Sequence, residues 1–149
     1  MKYKDHFKSS LERKLSKILK NYTYEPTDSA VSYSIPHKYY PDFVSLSNPC
    51  ILIEVKGYFI NGSADAQKYL SVIRDNPDKE LIFIFSDPSK KAYPQCRKRK
   101  DGSYLSLGEW CYKNNVLYFT PESLPTELIE GTLSLEELRS LKRTLYEQT

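Results

Sequence analysis

Two acidic residues and a lysine fall at a spacing that could support chemistry on a β-hairpin. Asp42 follows Pro41, and Glu54 and Lys56 form an E-x-K pair further along the chain. Turn-forming residues separate the two pieces, so we predict a hairpin whose turn centres on Asn48. Because Asp42 and Glu54 are equally far from Asn48, they would lie directly opposite each other. Two carboxylates about 5 Å apart repel each other unless a cation lies between them.

A divalent metal ion suits this arrangement, because Mg²⁺ binds one or two carboxylates together with water and phosphate oxygens. Strand side chains alternate between faces, so Glu54 and Lys56 share one face. Lys56 could then position a water molecule or neutralise charge on a reacting phosphate. The alternative is a solvated strand face with a weak ion pair. The residues of the opposite face are wholly apolar, and we predict that they face the core: Ile51, Ile53 and Val55.

Composition and charge limit the class of protein. The chain has 149 residues, of which 28% are charged and 40% hydrophobic, with a net charge of +3. These values are typical of a globular domain and compatible with nucleic-acid binding. The three cysteines form no zinc-binding pattern, so we expect reduced thiols in a cytoplasmic protein. The start of the sequence is too polar for a signal peptide, and we expect no membrane association.

Hydrophobic periodicity and capping signals predict the elements around the hairpin. In chain order, they are a helix from about Asp5 to Asn21, a strand from Val31 to Ile35, hairpin strands from Tyr39 to Leu46 and from Ile51 to Phe59, a helix from about Asn61 to Arg74, a buried strand from Leu81 to Phe85, a helix after Ser106, a strand from Val116 to Phe119 and a helix after Ser134. Capping boxes begin the last two helices. This order predicts an α/β sandwich around a mixed sheet.

Several linked motifs resemble those of the phage T7 endonuclease I family of Holliday-junction resolvases, which are PD-(D/E)xK nucleases. Phe7 to Glu12 resembles that family's F-x-S-x-L-E helix, and His37 to Phe43 resembles H-x-Y-x-P-D-F. Ile53 to Gly57 resembles the E-x-K-G strand, and Gly108 to Cys111 resembles a G-E-aromatic-C helix. The resemblance covers about Phe7 to Ile129.

The resemblance implies a fold, a reaction and a set of site residues. The fold would be a restriction-endonuclease-like mixed β-sheet flanked by helices. The reaction would be metal-dependent hydrolysis of four-way and other branched DNA junctions, leaving a 5′-phosphate. Mg²⁺ or Mn²⁺ would bind, up to two per active site. Asp42, Glu54 and the Val55 carbonyl would hold one ion, Asp42 and Glu12 would contact the second, and Lys56 would assist the attacking water.

The resemblance also implies a homodimer that exchanges its N-terminal segment, about residues 5–36. Val31 to Ile35 would pair in the partner's sheet, with the bridge around Pro36. Each active site would combine Glu12 of one chain with Asp42 and the E-x-K pair of the other. The nuclease domain would span residues 1–130, and a C-terminal helix in residues 131–149 would pack on that domain or extend it.

Basic side chains are candidates for contacts with DNA phosphates, because Lys and Arg supply the sequence-independent part of DNA binding. They are Lys68, Arg74, Lys90, Lys91, Arg97, Lys98, Arg99 and Lys100. A solvated surface is the alternative for each. The loop from Ser86 to Ser103 is longer than in the family, and its basic cluster could replace contacts of the family's longer basic N-terminal arm.

The sequence is also compatible with other interpretations of these residues and of the chain. His37 is either a general base or a structural hydrogen-bonding group, and Trp110 is either a core residue or a base-stacking one. The chain could be a nuclease of the same fold in mismatch repair, transposition or restriction. It could also be a non-catalytic DNA-binding protein, although the intact Asp42, Glu54 and Lys56 argue against that function.

Overall fold

The computed structural model describes residues 7–147 as two compact units, comprising residues 7–37 and residues 38–147. The helices are α1 (Ser10–Ile18), α2 (Ser63–Asp75), α3 (Leu107–Lys113), α4 (Thr126–Glu130) and α5 (Leu135–Tyr146), and the strands are β1 (Phe43–Val44), β2 (Ile51–Lys56), β3 (Glu80–Phe85) and β4 (Leu117–Phe119). A short 3₁₀ helix covers Thr27–Ser29. Within residues 7–147, no helix is long and apolar enough to cross a membrane.

A mixed sheet with the strand order β1-β2-β3-β4 forms the framework of the second unit. β1 runs antiparallel to β2, whereas β2, β3 and β4 run parallel to one another. The apolar β3 is buried along almost its whole length, as expected of a strand covered on both faces. The mixed α/β architecture predicted from the sequence is therefore confirmed.

Helices cover both faces of the sheet, and each face has its own hydrophobic core. On one face, α2 and α3 contribute Tyr69 and Trp110 to a cluster that includes Phe83 of β3. On the other face, α4 and α5 contribute Leu128 and Leu138. Trp110 is therefore a core residue, which is one of the two roles that the sequence allowed. The capping boxes that begin α3 and α5 at Ser106 and Ser134 are also confirmed.

The N-terminal unit differs from the prediction in two ways. α1 begins at Ser10 because the side chain of Ser9 caps it, accepting a hydrogen bond from the Glu12 N–H; the predicted start at Asp5 lies outside the described residues. The segment from Val31 to Ile35 forms no strand in the single chain. Its apolar side chains are exposed, because the described part of the chain provides no neighbouring strand with which it pairs.

Two smaller expectations in the second unit were wrong, and one short helix was not predicted. Val55 is 48% exposed instead of facing the core, because it lies beyond the part of β2 that α4 and α5 cover. The hairpin strands are shorter than predicted, since only Phe43 and Val44 of the first pair with β2. The short helix α4 was not predicted; it begins after Pro125 and ends at Gly131 in the left-handed conformation.

The C-terminal helix α5 packs on the sheet of the second unit. Its Leu138 is fully buried, and the Tyr146 hydroxyl donates a hydrogen bond to the Val116 carbonyl. Arg139 and Lys142 both form ion pairs with the buried Glu80 at the start of β3. A buried carboxylate needs such partners, so these contacts fix the position of α5 against the sheet.

Shortening Leu138 tests how strongly α5 stabilises the fold. We expect Leu138→Ala to lower the free energy of unfolding by about 2–5 kcal/mol, because it leaves a cavity in the core. Leu145→Ala on the same helix is the matched control, since Leu145 is 45% exposed; its effect should stay below about 1 kcal/mol. Urea denaturation at one fixed protein concentration measures both. Equal losses for the two variants would contradict the packing described for α5.

Candidate active site

The register of the hairpin places Asp42 opposite Glu54. Phe43 pairs with Ile53 and Val44 with Leu52, so continuing by one residue brings the two acids together. The Val55 N–H donates a hydrogen bond of 2.8 Å to Asp42 Oδ2, which fixes this carboxylate beside β2. The cross-strand pairing predicted from the spacing around Asn48 is thus confirmed.

Glu54 is a buried carboxylate with hydrogen bonds to both of its oxygens. It is 6% exposed. The Tyr39 hydroxyl donates to Oε2 at 2.6 Å, and the Tyr69 hydroxyl donates to Oε1 at 3.0 Å. Burial, followed by the nearby Glu54 carboxylate, raises the pKa of both tyrosyl hydroxyls, so both stay protonated at neutral pH. The carboxylate is therefore held between two donors of fixed protonation state.

Lys56 brings a positive charge to the same face of β2 as Glu54. Its ammonium nitrogen lies 3.6 Å from Glu54 Oε1, and its side chain is only 24% exposed. The ammonium also lies 5.8 Å from the centroid of the Tyr69 ring, at the outer range of a cation–π contact. The site thus combines two carboxylates with one partly shielded cation, which can stabilise negative charge on a bound group.

The donor atoms of this site fit a hard divalent cation. Mg²⁺ takes oxygen ligands and commonly uses one or two carboxylates, with water and substrate phosphate completing its shell. Asp42 and Glu54 supply those carboxylates, and the Val55 carbonyl lies in the chain between Glu54 and Lys56. Among residues 7–147, no three His, Cys, Asp or Glu side chains cluster closely enough to hold a metal ion. The two-carboxylate mode is therefore the one that these residues support.

Glu12 lies in the first turn of α1, in the N-terminal unit. Its N–H is bound by the Ser9 side chain, which holds the residue at the start of the helix. Its Oε2 atom is buried and has no hydrogen-bond partner among the described residues. Buried polar atoms are nearly always paired, so an unpaired carboxylate oxygen is a candidate cation ligand. The role of Glu12 as a ligand of the second metal ion stays a prediction.

Of the four basic residues from Arg97 to Lys100, one is hydrogen-bonded to another part of the protein and three are exposed. Arg99 donates a hydrogen bond of 2.6 Å to Glu109, and this bond lowers the pKa of the Glu109 carboxyl. Glu109 is also the acidic member of the α3 capping box. Arg97, Lys98 and Lys100 are exposed. The anchored Arg99 therefore holds a loop whose other cations face solvent.

Three of the candidate lysines lie over tyrosine rings. Lys68 is 4.7 Å from the ring centroid of Tyr69, Lys90 is 4.9 Å from that of Tyr58, and Lys91 is 4.3 Å from that of Tyr104. Such contacts orient an ammonium group without neutralising its charge.

The two remaining candidates have other surroundings. Arg74 forms an exposed ion pair with its neighbour Asp75. His37 is exposed and precedes the hairpin. DNA contact by the basic residues stays a prediction.

Sequence reasoning missed the two tyrosines that bind Glu54. Tyr69 was covered only by the helix predicted from about Asn61 to Arg74, and Tyr39 only by the motif from His37 to Phe43. A signal was present, because a buried tyrosyl hydroxyl usually finds a hydrogen-bond partner. Glu54, the acid predicted on the neighbouring strand, was the available acceptor.

Similarity to known proteins establishes the class to which this site belongs. The family described as Phage endonuclease I matches residues 1–144 of the chain. Together with the acidic pair and the lysine on a mixed α/β framework, this match defines a nuclease. The chain belongs to the phage endonuclease I family.

Two relatives support this assignment at similar levels of identity. The chain is 36% identical to Endodeoxyribonuclease 1 of Enterobacteria phage T3 over 117 residues, which cover 75% of this chain and 70% of that protein. It is 35% identical to Endonuclease I of Escherichia phage T7 over 142 residues, which cover 92% of this chain and 87% of that protein. The matched region therefore includes the hairpin and both units.

Proposed function

We propose that the chain is a structure-selective DNA endonuclease that cuts four-way (Holliday) and other branched junctions by metal-dependent hydrolysis. The single observation that carries the proposal is the cross-strand pair of Asp42 and Glu54 with Lys56 beside it, in a chain of this family. The printed name of the phage T3 relative, an endodeoxyribonuclease, supports DNA as the substrate. A restriction-endonuclease-like fold and action in the host cytoplasm are part of the same proposal.

Each site residue has a role in this reaction. Asp42, Glu54 and the Val55 carbonyl would hold one Mg²⁺ or Mn²⁺ ion, and Asp42 together with Glu12 of the partner subunit would hold a second. Such ions supply Lewis-acid stabilisation of the phosphate oxygens. Lys56 orients the attacking water and offsets the negative charge that develops at phosphorus. The water oxygen bonds to phosphorus as the bond to the 3′-oxygen breaks, leaving a 5′-phosphate and a 3′-hydroxyl.

We also propose that the active protein is a homodimer that exchanges residues 5–36. Two features of residues 7–147 support this exchange. The apolar side chains of α1 at Leu11 and Ile18 are exposed, as are Val31 and Tyr33 in the unpaired extended segment. Exposed apolar surface of this extent is typical of an interaction face. The boundary between the two compact units follows His37, next to the proposed bridge around Pro36.

The reaction is tested by incubating an end-labelled four-way junction with the protein and each metal ion. We expect cleavage with Mg²⁺ or Mn²⁺, because both accept the all-oxygen donor set. We expect Ca²⁺ to support junction binding without cleavage, and excess EDTA to abolish cleavage. Religation of the nicked products by DNA ligase checks for the 5′-phosphate. Full cleavage in excess EDTA would contradict the metal-site assignment.

A further inference from the structure

The carboxylate of Glu54 accepts hydrogen bonds from two separate parts of the chain. Tyr39 reaches Oε2 from the segment before β1, and Tyr69 reaches Oε1 from α2. An ionised carboxylate only accepts hydrogen bonds, so both tyrosyl hydroxyls act as donors. One side chain is thereby connected to the hairpin and to a helix that covers the sheet.

The rings of the two tyrosines are themselves held in place. Tyr69 is fully buried, and its ring lies edge-on to Phe83 at 5.0 Å and close to Phe59 at 5.7 Å. Tyr39 packs edge-on against Tyr69 at 5.9 Å. Because packed aromatic rings have few accessible rotamers, the two hydroxyls define fixed points for the carboxylate.

The two tyrosyl hydrogen bonds leave lone pairs of the Glu54 carboxylate with which it can bind a cation. A carboxylate has about four lone-pair positions, of which the two tyrosyl donors occupy two. At Asp42, the Val55 N–H binds Oδ2, and no hydrogen bond from the described residues occupies Oδ1. The lone pairs that remain for a cation therefore belong to Glu54 and Asp42, and hydrogen bonds already orient both of these carboxylates.

We propose that Tyr39 and Tyr69 are positioning residues, which fix the Glu54 carboxylate in the orientation that binds the metal ion. This inference rests on the proposed metal-dependent function. The hydroxyls act through Glu54 and do not contact the substrate. Removing such an outer hydrogen bond typically weakens metal affinity by about 10–100-fold, because the ligand must be ordered at the moment of binding.

The test is calorimetric titration of the 149-residue protein with Mn²⁺ alone, in the absence of DNA. Tyr39→Phe and Tyr69→Phe each remove one hydroxyl and keep the ring. We expect each to bind Mn²⁺ about 10–100-fold more weakly than the wild type. In cleavage assays, both should need proportionally more Mg²⁺ for half-maximal rate and approach the wild-type rate at saturating Mg²⁺.

Tyr146→Phe is the matched control for a purely structural effect. It removes the hydroxyl that binds the Val116 carbonyl, away from Glu54. We expect it to bind Mn²⁺ as the wild type does, whatever its effect on melting temperature. If Tyr69→Phe does not fold, the half-buried Tyr39 provides the same test. Unchanged or tighter Mn²⁺ binding by Tyr39→Phe, or equal weakening by Tyr146→Phe, would overturn the inference.

Glu54→Gln separates failure of this inference from failure of the proposed function. If Glu54→Gln loses Mn²⁺ binding and both tyrosine variants keep it, the metal site stands and the positioning role is wrong. If Glu54→Gln binds Mn²⁺ with the same affinity as the wild type, Glu54 is not a metal ligand. The positioning role is then rejected as well. A lower maximal rate with unchanged Mn²⁺ affinity in the tyrosine variants would also contradict the positioning role.

Discussion

Replacing Glu54 with Gln should slow junction cleavage by about 100-fold or more while leaving junction affinity near that of the wild type. The substitution removes a negative charge from the acidic pair, and loss of electrostatic stabilisation of this kind typically costs about 10²-fold or more in rate. The fold should persist, because the amide oxygen can accept from one tyrosyl hydroxyl and the amide nitrogen can donate to the other. Single-turnover cleavage of a labelled junction measures the rate.

Asp42→Asn should have the same effect, since it removes the other charge and keeps an oxygen for the Val55 N–H. Glu122→Gln is the control, because Glu122 is an exposed acid after β4. Junction affinity is measured in Ca²⁺ by electrophoretic mobility shift, so that binding is observed without cleavage. If Glu54→Gln or Asp42→Asn turned over near the wild-type rate, the metal-site assignment would be wrong.

Mixing two inactive variants should restore activity if each active site is shared between subunits. Glu12→Gln and Glu54→Gln are unfolded together and refolded, so that heterodimers form. In a heterodimer with composite sites, one site collects both substitutions and the other is entirely wild type. We therefore expect nicking of one strand of the junction by the mixture, and none by either variant alone.

The controls for this experiment address refolding and dimerisation. Wild-type protein carried through the same unfolding cycle shows how much activity is recovered. Glu12→Gln and Glu54→Gln mixed without unfolding should stay inactive, because exchange of a segment requires the subunits to open. No recovery in the refolded mixture would mean that the sites are not shared. A monomer by light scattering at micromolar concentration would also contradict the composite site.

The sequence predicted the hairpin because local patterns and cross-strand geometry agree there. Turn formers around Asn48 set the register, and the two-residue period of a strand put Glu54 and Lys56 on one face. The capping boxes at Ser106 and Ser134 could be predicted in the same way, since they depend on residues three positions apart. Such features need no knowledge of distant contacts.

Features that depend on distant partners could not be predicted in the same way. The hydrogen bond between Tyr69 and Glu54 requires α2 to be placed on the sheet, which periodicity alone does not specify. The anchoring of Arg99 by Glu109 likewise joins a loop to a helix. Val31 to Ile35 has the alternation of a strand, yet strand formation requires a neighbouring strand, which residues 7–147 of the single chain do not supply.

The most direct test of the proposed function is the ratio of cleavage rates on two DNA substrates. A four-way junction and a linear duplex of the same arm sequences are cut by the wild-type protein in Mg²⁺ under single-turnover conditions. If the protein selects branched DNA, the junction is cut much faster than the duplex, and Glu54→Gln removes the activity on the junction. Equal rates on the junction and the duplex would contradict structure-selective cleavage, and junction cleavage that survives Glu54→Gln would contradict the active site described here.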